Sequence, residues 1–235
     1  MAPAVTTNLA SLLLLADGRF PVGGHAHSGG IEAAMADGRV RDVVDVEAFT
    51  IGRLHTTGVM EAALAAATVV RLCGPNAVTE RVLAEIDAEA DARIPSAPLR
   101  AASRRLGRQL TRVAGPCWPD PVLPALGSID PDGPHQAVAL GGVAVAAGVG
   151  ARDAALLALH HAATTPIQAA IKIAGLDPFA LAAVTARLAP VIETLALVAA
   201  TAADGPLAEL PCSSAPLIEI AAATHDRTAQ RLFAT

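Results

Sequence analysis

Apolar residues recur along most of the chain at the spacing of an α-helix, and no stretch shows the strict alternation of a β-strand. The clearest example is the segment 76–93, where Val82, Ile86 and Ala90 form an apolar stripe opposite acidic positions such as Glu85. We expect this segment to be an amphipathic helix at the protein surface.

The same spacing, combined with capping residues and helix stops, predicts a series of helices. Their expected ranges are 8–16, 31–36, 42–72, 76–93, 97–115, 135–149, 152–174, 179–203 and 217–232. The first is apolar almost throughout and is expected to lie in the core. Pro166 and Pro190 are expected to interrupt or kink their helices, and the proline-rich segment 116–134 is predicted to be a long irregular loop. The pattern predicts an all-α fold, a single bundle of about eight to ten helices formed by residues 1–235.

Composition narrows the class of protein. Of the 235 residues, 53% are hydrophobic and 2% are aromatic, which suits a large core of closely packed, alanine-rich helices. The net charge of −5 argues against nucleic acid as a partner, because phosphate binding requires a basic face. One basic run, expected to be a solvated face or a protein contact, comprises Arg100, Arg104, Arg105, Arg108 and Arg112.

The sequence also predicts where the protein acts. No uninterrupted apolar run reaches the roughly 18–20 residues of a membrane span, and the N-terminus does not read as a signal peptide. The three cysteines have no metal-ligand spacing and are expected to be reduced thiols. We therefore expect a cytoplasmic protein that does not insert into a membrane.

The stretch 19–32 has the highest density of glycines and polar side chains in the chain. Its His25 and His27 could bind nickel or zinc, metals that accept imidazole ligands. In an extended loop the two side chains would point in opposite directions, so a shared ion would need a turn or a second chain. Packing or interface roles are the alternative for the histidines, and the glycines could instead cradle an anion at a helix N-terminus.

Signatures of known enzyme classes are absent: the sequence has no nucleophile elbow, P-loop, dinucleotide fingerprint or HExxH site. No tightly bound cofactor is expected. Two alternatives stay open beside a non-enzymatic interaction protein. One is a helical metal-binding protein that uses the two loop histidines. The other is a helical enzyme whose small-molecule site would be lined by Thr164, Thr165, Gln168 and Lys172.

The residues 21–32, PVGGHAHSGGIE, resemble the N-terminal signature of the UreF family of urease accessory proteins. The matching positions are Pro21, Gly23, Gly24, Ser28, Gly30 and Glu32. Within the signature, His25 and His27 replace aromatic residues of the family, and Gly29 replaces a glutamine.

Later blocks of the sequence are also similar to this family. The block 169–173, which contains Lys172, resembles its small-small-apolar-basic-apolar block, although Leu176-Asp177 stand where Gly-Gln is usual. A weaker central pattern is matched by Arg100, Ser103 and Gly107. The C-terminal block is matched by His225, Asp226, Arg231, Leu232 and Phe233.

The resemblance implies an all-α homodimer without catalytic activity. Such a protein would bridge the accessory protein UreD, also called UreH, to the GTPase UreG and regulate GTP hydrolysis while nickel is inserted into apo-urease. Nickel would be handled by the assembly. By resemblance, the UreG-side surface would comprise Pro21, Gly23, Gly24, Ser28, Gly30, Glu32 and Lys172. The UreD-side surface would comprise His225, Arg231, Leu232 and Phe233.

Overall fold

The computed structural model describes residues 7–20, 27–75 and 79–225, and every regular element in these ranges is helical. The α-helices are α1 (Leu9–Ala16), α2 (Ile31–Ala36), α3 (Val43–Arg53), α4 (Val59–Leu72), α5 (Thr79–Arg93), α6 (Ala97–Cys117), α7 (Val122–Ser128), α8 (Gln136–Ala146), α9 (Ala151–Ala174), α10 (Pro178–Ala203) and α11 (Pro216–His225). A π-helical turn, Leu54–Gly58, joins α3 to α4 in one continuous rod, and a short 3-10 helix, Leu207–Glu209, follows α10. The predicted all-α fold is confirmed.

Helices α4, α8, α9 and α10 form the centre of the bundle, and α4 packs against the other three. Residues 62–67 of α4 are almost completely buried. Side chains this small let neighbouring backbones approach closely: a Cβ added to Gly141 of α8 would lie 2.5 Å from the Ala65 carbonyl oxygen. The alanine-rich composition therefore builds the core by close helix packing rather than by large side chains.

Helix α10 has the length and the mean hydropathy, 1.7 over its most apolar 18 residues, that a membrane span would need, and it is the one such helix in the described ranges. It packs against α4 and α9, with Leu181 and Val184 buried between them. On its exposed side Arg187 forms an ion pair with Glu47 of α3, with an N–O distance of 2.6 Å. The helix is therefore packed as an element of the bundle.

The irregular loop expected at 116–134 and the interruption of two helices expected at proline are both wrong. The segment 116–134 is not irregular throughout, because α7 lies within it; the Asp120 carboxylate accepts a hydrogen bond from the Val122 backbone at 2.9 Å as the helix begins. Helices α9 and α10 run through Pro166 and Pro190 without interruption. Each proline removes one backbone hydrogen bond, and the packing of a helix more than 20 residues long outweighs that loss.

Helix α1 also differs from expectation, since it does not lie wholly in the core. Leu9 and Leu13 are 67% and 71% exposed. The opposite side of the helix faces inward: Leu15 is buried, and Ser11 accepts a hydrogen bond from the indole N–H of Trp118 at 3.2 Å. A continuous apolar run of this length does not indicate which side of the helix is buried.

A polar cluster that is buried except for one half-exposed carboxylate, that of Asp91, fastens the start of α8 to α5 and α6, and we call it the clamp. The clamp consists of Asp87, Asp91, Ser103, Arg104 and His135. The Asp87 carboxylate accepts hydrogen bonds from the His135 backbone N–H at 2.8 Å and from Arg104 Nη1 at 2.9 Å. Arg104 Nη2 donates to Asp91 Oδ1 at 3.1 Å. Each buried charge of the clamp is therefore paired with an opposite charge.

The clamp also defines which ring nitrogen of His135 carries the proton. Asp91 Oδ1, a carboxylate oxygen that can only accept, lies 3.1 Å from His135 Nε2, so the proton of the neutral ring lies on Nε2. His135 Nδ1 then accepts a hydrogen bond from the Ser103 hydroxyl, 3.1 Å away, while Ser103 Oγ accepts one from the Gln136 backbone N–H at 3.0 Å. Burial lowers the pKa of His135, although Asp87 and Asp91 oppose the shift.

At Gly107, helix α6 packs tightly against the backbone just before α8, where an added Cβ would lie 2.0 Å from the Pro134 carbonyl oxygen. One turn before Ser103, the Arg100 guanidinium donates to the Ile94 carbonyl oxygen at 2.7 Å. The central pattern of Arg100, Ser103 and Gly107 thus lies on the inner side of α6. Its residues hold neighbouring segments in place.

Candidate functional site

The approach to α2 is shaped by a glycine turn, residues 27–30. Gly29 and Gly30 have φ angles of 64° and 90°, in the left-handed region that favours glycine. Ser28 is buried, and its Oγ accepts a hydrogen bond from the Glu32 backbone N–H at 3.4 Å. A Cβ added to Gly30 would lie 2.9 Å from Cγ2 of Ile218 in α11. The turn therefore places Glu32 in the first turn of α2 and packs directly against α11.

Arg53, the last residue of α3, connects the glycine turn to the centre of the bundle. Its Nη1 donates to the Gly29 carbonyl oxygen at 3.0 Å, and its Nη2 lies 3.9 Å from Glu61 Oε2. The π-helical turn begins at the next residue and joins α3 to α4 between Arg53 and Glu61. Such turns are frequent at functional sites.

A cavity of about 90 Å³, which we call the turn cavity, lies between the glycine turn and α11. It has room for a few water molecules. The residues before and within α11 form one side of it, and Ala102 and Leu106 of α6 contribute an apolar wall. Its main polar residues are His27, Glu32, Arg53, Thr57, Glu61 and Arg93. The cavity therefore combines both signs of charge in a confined space.

Confinement alters the acid–base properties of two of these groups. Burial and, to a lesser extent, the nearby Arg53 and His161 together lower the pKa of His27 to about 3. The imidazole is therefore neutral at physiological pH. Burial raises the pKa of Glu61, against the opposing effect of Arg53, although 34% of the Glu61 side-chain area remains accessible.

Some polar atoms at the cavity wall have no hydrogen-bond partner within the described ranges. They are Arg53 Nε, Thr57 Oγ1 and Arg93 Nε. Each guanidinium still has a carboxylate beside it: Arg53 lies near Glu61, and Arg93 is bonded to Glu89. Buried polar atoms normally bind protein groups or water. The turn cavity is thus suited to hold water or a polar group of a partner.

Three of the predicted signature residues, Ser28, Gly30 and Glu32, line the turn cavity together with His27. Lys172 does not line it; this side chain is exposed in the last turn of α9. Helix α9 packs against α2, so the helices that carry Glu32 and Lys172 are neighbours.

The remaining predicted site residues cannot be placed. Pro21, Gly23, Gly24, His25, Arg231, Leu232 and Phe233 lie outside the described residues. His225 ends α11, and its side chain also lies outside what is described. The roles given to these residues by resemblance stay predictions.

A second cavity, of about 330 Å³, lies between α9 and the segment after α1, and we call it the α1 cavity. It is lined by Thr164, Thr165 and Gln168, three of the four residues expected at a small-molecule site, but not by Lys172. The volume is that of a small ligand pocket.

Two adjacent histidines of α9 also line the α1 cavity. His161 Nε2 donates to the Leu15 carbonyl oxygen at 3.0 Å, and His160 bonds the carbonyl of Ala16. Both rings satisfy the last carbonyls of α1, which have no partner within that helix. Burial lowers the pKa of both, that of His161 to about 4.

The part of the chain that the structure describes contains no group of three His, Cys, Asp or Glu side chains able to hold a metal ion. His27 lines the turn cavity beside Arg53, a cation that disfavours a second positive charge. The metal-binding alternative depends on His25 as well, which lies outside the described ranges.

Reasoning from the sequence missed Arg53 and Glu61, the ion pair that supports the glycine turn. A signal was present: Glu61 is the one charged residue between Arg53 and Arg71, in a segment that is otherwise mostly apolar. A carboxylate in such a helix is seldom buried unless it has a partner or a function.

Comparison with known proteins identifies the family of the chain. The UreF family model matches residues 40–189. The urease accessory protein UreF of Mycolicibacterium vanbaalenii is 40% identical over 229 residues, which cover 97% of this chain and 100% of that protein. The proteins of the same name from Mycobacterium marinum and Mycobacterium tuberculosis are each 38% identical, over 97% of this chain and 100% and 99% of their own lengths. The chain therefore belongs to the UreF family of urease accessory proteins.

Proposed function

We propose that this protein is a non-enzymatic scaffold and regulator of the GTPase UreG, acting with UreD (UreH) in GTP-dependent nickel insertion into apo-urease. The observation that carries the proposal is that Ser28, Gly30 and Glu32, which match the family signature, line one cavity beside α11. In this proposal the protein acts in the cytoplasm as a homodimer, and nickel is passed on by the assembly.

The proposal assigns one partner to each side of the glycine turn. Glu32 and Lys172, on the neighbouring helices α2 and α9, would contact UreG with side chains of opposite charge. The C-terminal residues that follow α11 would contact UreD. Because Ile218 of α11 packs on Gly30, a movement of α11 would displace the N-terminus of α2. The two binding events would thus be linked through one contact.

Purified proteins test the scaffold role directly. The chain is immobilised and incubated with purified UreD and UreG in the presence of GTP and magnesium, and the retained proteins are identified. We expect both partners to be retained together. Failure to form a ternary complex, when both partners are shown to be folded, would contradict the proposal.

Substitutions in the chain test the proposed UreG-side surface. Glu32→Ala and Lys172→Ala should weaken UreG retention while circular dichroism shows unchanged helicity. Exposed residues elsewhere provide the controls: Glu209→Ala and Arg152→Ala should leave retention unchanged. A loss of helicity in Glu32→Ala or Lys172→Ala would instead assign that residue a structural role.

A second candidate function, binding of a small polar molecule, is supported by the α1 cavity. Its hydroxyl and carboxamide groups could donate and accept hydrogen bonds with a neutral ligand such as an amide. Titration with acetamide, followed by the NMR signals of the cavity histidines, tests this function. A Thr164→Leu variant should abolish saturable shifts; an equal response from the variant would contradict a site in this cavity.

A further inference from the structure

The solvent side of α6 carries a line of arginines, which we call the arginine ridge: Arg105, Arg108 and Arg112. All three are exposed, and Gln109 between them is exposed as well. Residues three, four and seven positions apart lie on one face of a helix. The ridge therefore presents three guanidinium groups along about 10 Å of helix surface.

The arginines on the inner side of the same helix form hydrogen bonds with other parts of the chain. Arg104 is hydrogen-bonded to Asp87 and Asp91, and Arg100 donates to backbone carbonyl oxygens while lying 3.8 Å from Asp91. The ridge is different. No carboxylate of the described residues lies within 4.0 Å of a ridge guanidinium, although Arg108 Nη1 donates to the Asp132 carbonyl oxygen at 2.7 Å.

This arrangement is unfavourable for the isolated chain. Like charges three and four residues apart repel one another and destabilise a helix. The whole chain carries a net charge of −5, so carboxylates are more numerous than basic residues, yet none is paired with the ridge in the described ranges. The positive charge is therefore left available to a partner.

We infer that the arginine ridge is a docking surface for an acidic protein surface, with guanidinium groups of the ridge contacting carboxylates of the partner. A guanidinium forms two parallel hydrogen bonds with a carboxylate, and exposed complementary charges accelerate association. Three cations on an acidic protein are too few for nucleic acid, where a site usually contacts six or more phosphates. The first test takes the UreD–UreG pair as this acidic partner, and to that extent the inference rests on the proposed function.

Charge reversal at the ridge is the main test. The double variant Arg105→Glu/Arg112→Glu should bind the UreD–UreG pair about tenfold more weakly at low salt, mainly through slower association, and the difference should shrink as salt rises. The matched control is Arg81→Glu/Arg152→Glu, which makes the same change in net charge at exposed positions that face carboxylates of their own helix or of α10. Equal weakening by the control and the ridge variant would overturn the inference.

A second measurement keeps the inference testable if no complex with UreD and UreG forms, which would refute the proposed function alone. A glutamate-rich peptide is titrated into the full chain while the arginine side-chain NMR signals are recorded. The ridge signals should shift in the wild type and the peptide should not bind the ridge variant. No shift at the ridge, or tighter ridge-dependent binding of a DNA duplex or phosphatidylserine vesicles than of the peptide, would overturn the inference.

Discussion

The clamp and the turn cavity are both buried polar clusters, yet their hydrogen bonding differs. In the clamp, the side chains of Asp87, Ser103 and His135 have all found partners at 2.8–3.1 Å. In the turn cavity, Arg53 and Thr57 keep polar atoms without a partner in the described ranges, beside a space of about 90 Å³. A cluster whose polar atoms are all hydrogen-bonded stabilises one arrangement of the chain. A cluster with unpaired polar atoms can still bind water or a polar group of a partner.

The surroundings of the two clusters explain this difference. The clamp lies where α6 and the start of α8 touch, and Gly107 leaves no space between them. The turn cavity lies under α11, which contacts α2 and α6 but is not packed against the central helices of the described chain to the same extent. We therefore expect substitutions in the clamp to reduce stability and substitutions in the turn cavity to affect partner binding more than stability.

Removing the central carboxylate of the clamp should have the largest effect. Asp87→Ala leaves Arg104 and the His135 backbone N–H without their buried acceptor, so the free energy of unfolding should fall by about 3–5 kcal/mol. Urea unfolding followed by circular dichroism measures the change. Asp204→Ala, at an exposed position, should change the stability by less than about 0.5 kcal/mol. Comparable losses in the two variants would contradict the role of the clamp.

A methyl group at the tightest helix contact should have the next largest effect. Gly107→Ala should lower the free energy of unfolding by about 3 kcal/mol, because the new Cβ would collide with the Pro134 backbone. Gly115→Ala, on the same helix, has no atom within 4 Å of the added Cβ. It should instead raise stability by up to about 1 kcal/mol through helix propensity. Urea unfolding should therefore give changes of opposite sign, and equal changes would refute the close approach.

Removing one hydroxyl from each cluster compares them directly. Ser103→Ala leaves the Gln136 backbone N–H without an acceptor and should cost about 1–3 kcal/mol in the free energy of unfolding. Thr57→Val removes a hydroxyl that has no partner in the described ranges and should cost less than about 0.5 kcal/mol. Thermal and urea unfolding of both variants check the difference. A loss in Thr57→Val as large as that in Ser103→Ala would show that the cavity is not unsaturated.

The pH dependence of stability should report on the turn cavity. The native pKa of His27, about 3, lies below its unfolded value near 6.5, so between these values the unfolded chain binds the proton more readily. The stability that the neutral, buried imidazole of His27 contributes is therefore fully present above pH 6.5 and is lost as the pH falls toward 3.

His27→Gln should therefore reduce the slope of unfolding free energy against pH by about 1.4 kcal/mol per pH unit in the region of pH 4–6. Urea unfolding at several pH values measures the slope. His161, with a native pKa of about 4, contributes in the same direction and remains in the variant. An unchanged slope in His27→Gln would contradict the burial of His27.

Helix periodicity predicted most of the fold because it depends on local sequence. The ranges of α2, α8 and α10 agree with expectation to within a few residues at each end. The predictions were wrong where tertiary packing determines whether a segment is helical. α7 formed inside a proline-rich segment, and Pro166 was accommodated within a buried part of α9.

The candidate site could be predicted only in part. The glycines and Glu32 were found because the turn is a short, local feature of the sequence. The ion pair between Arg53 and Glu61 was not predicted, because it spans a π-helical turn and has no local signature in the sequence. The sequence also did not show which arginines of α6 form ion pairs within the fold and which are exposed. Equal helical spacing does not distinguish an arginine that faces Asp87 from one that faces solvent.

The central claim, that this UreF-family chain promotes nickel insertion, is tested most directly by urease activation in a purified system. Apo-urease, UreD, UreG, nickel and GTP are combined with and without the chain, and ammonia release from urea is measured. We predict activation that depends on the chain and is reduced by Glu32→Ala but not by Glu209→Ala. Equal activation with and without the chain would contradict the claim.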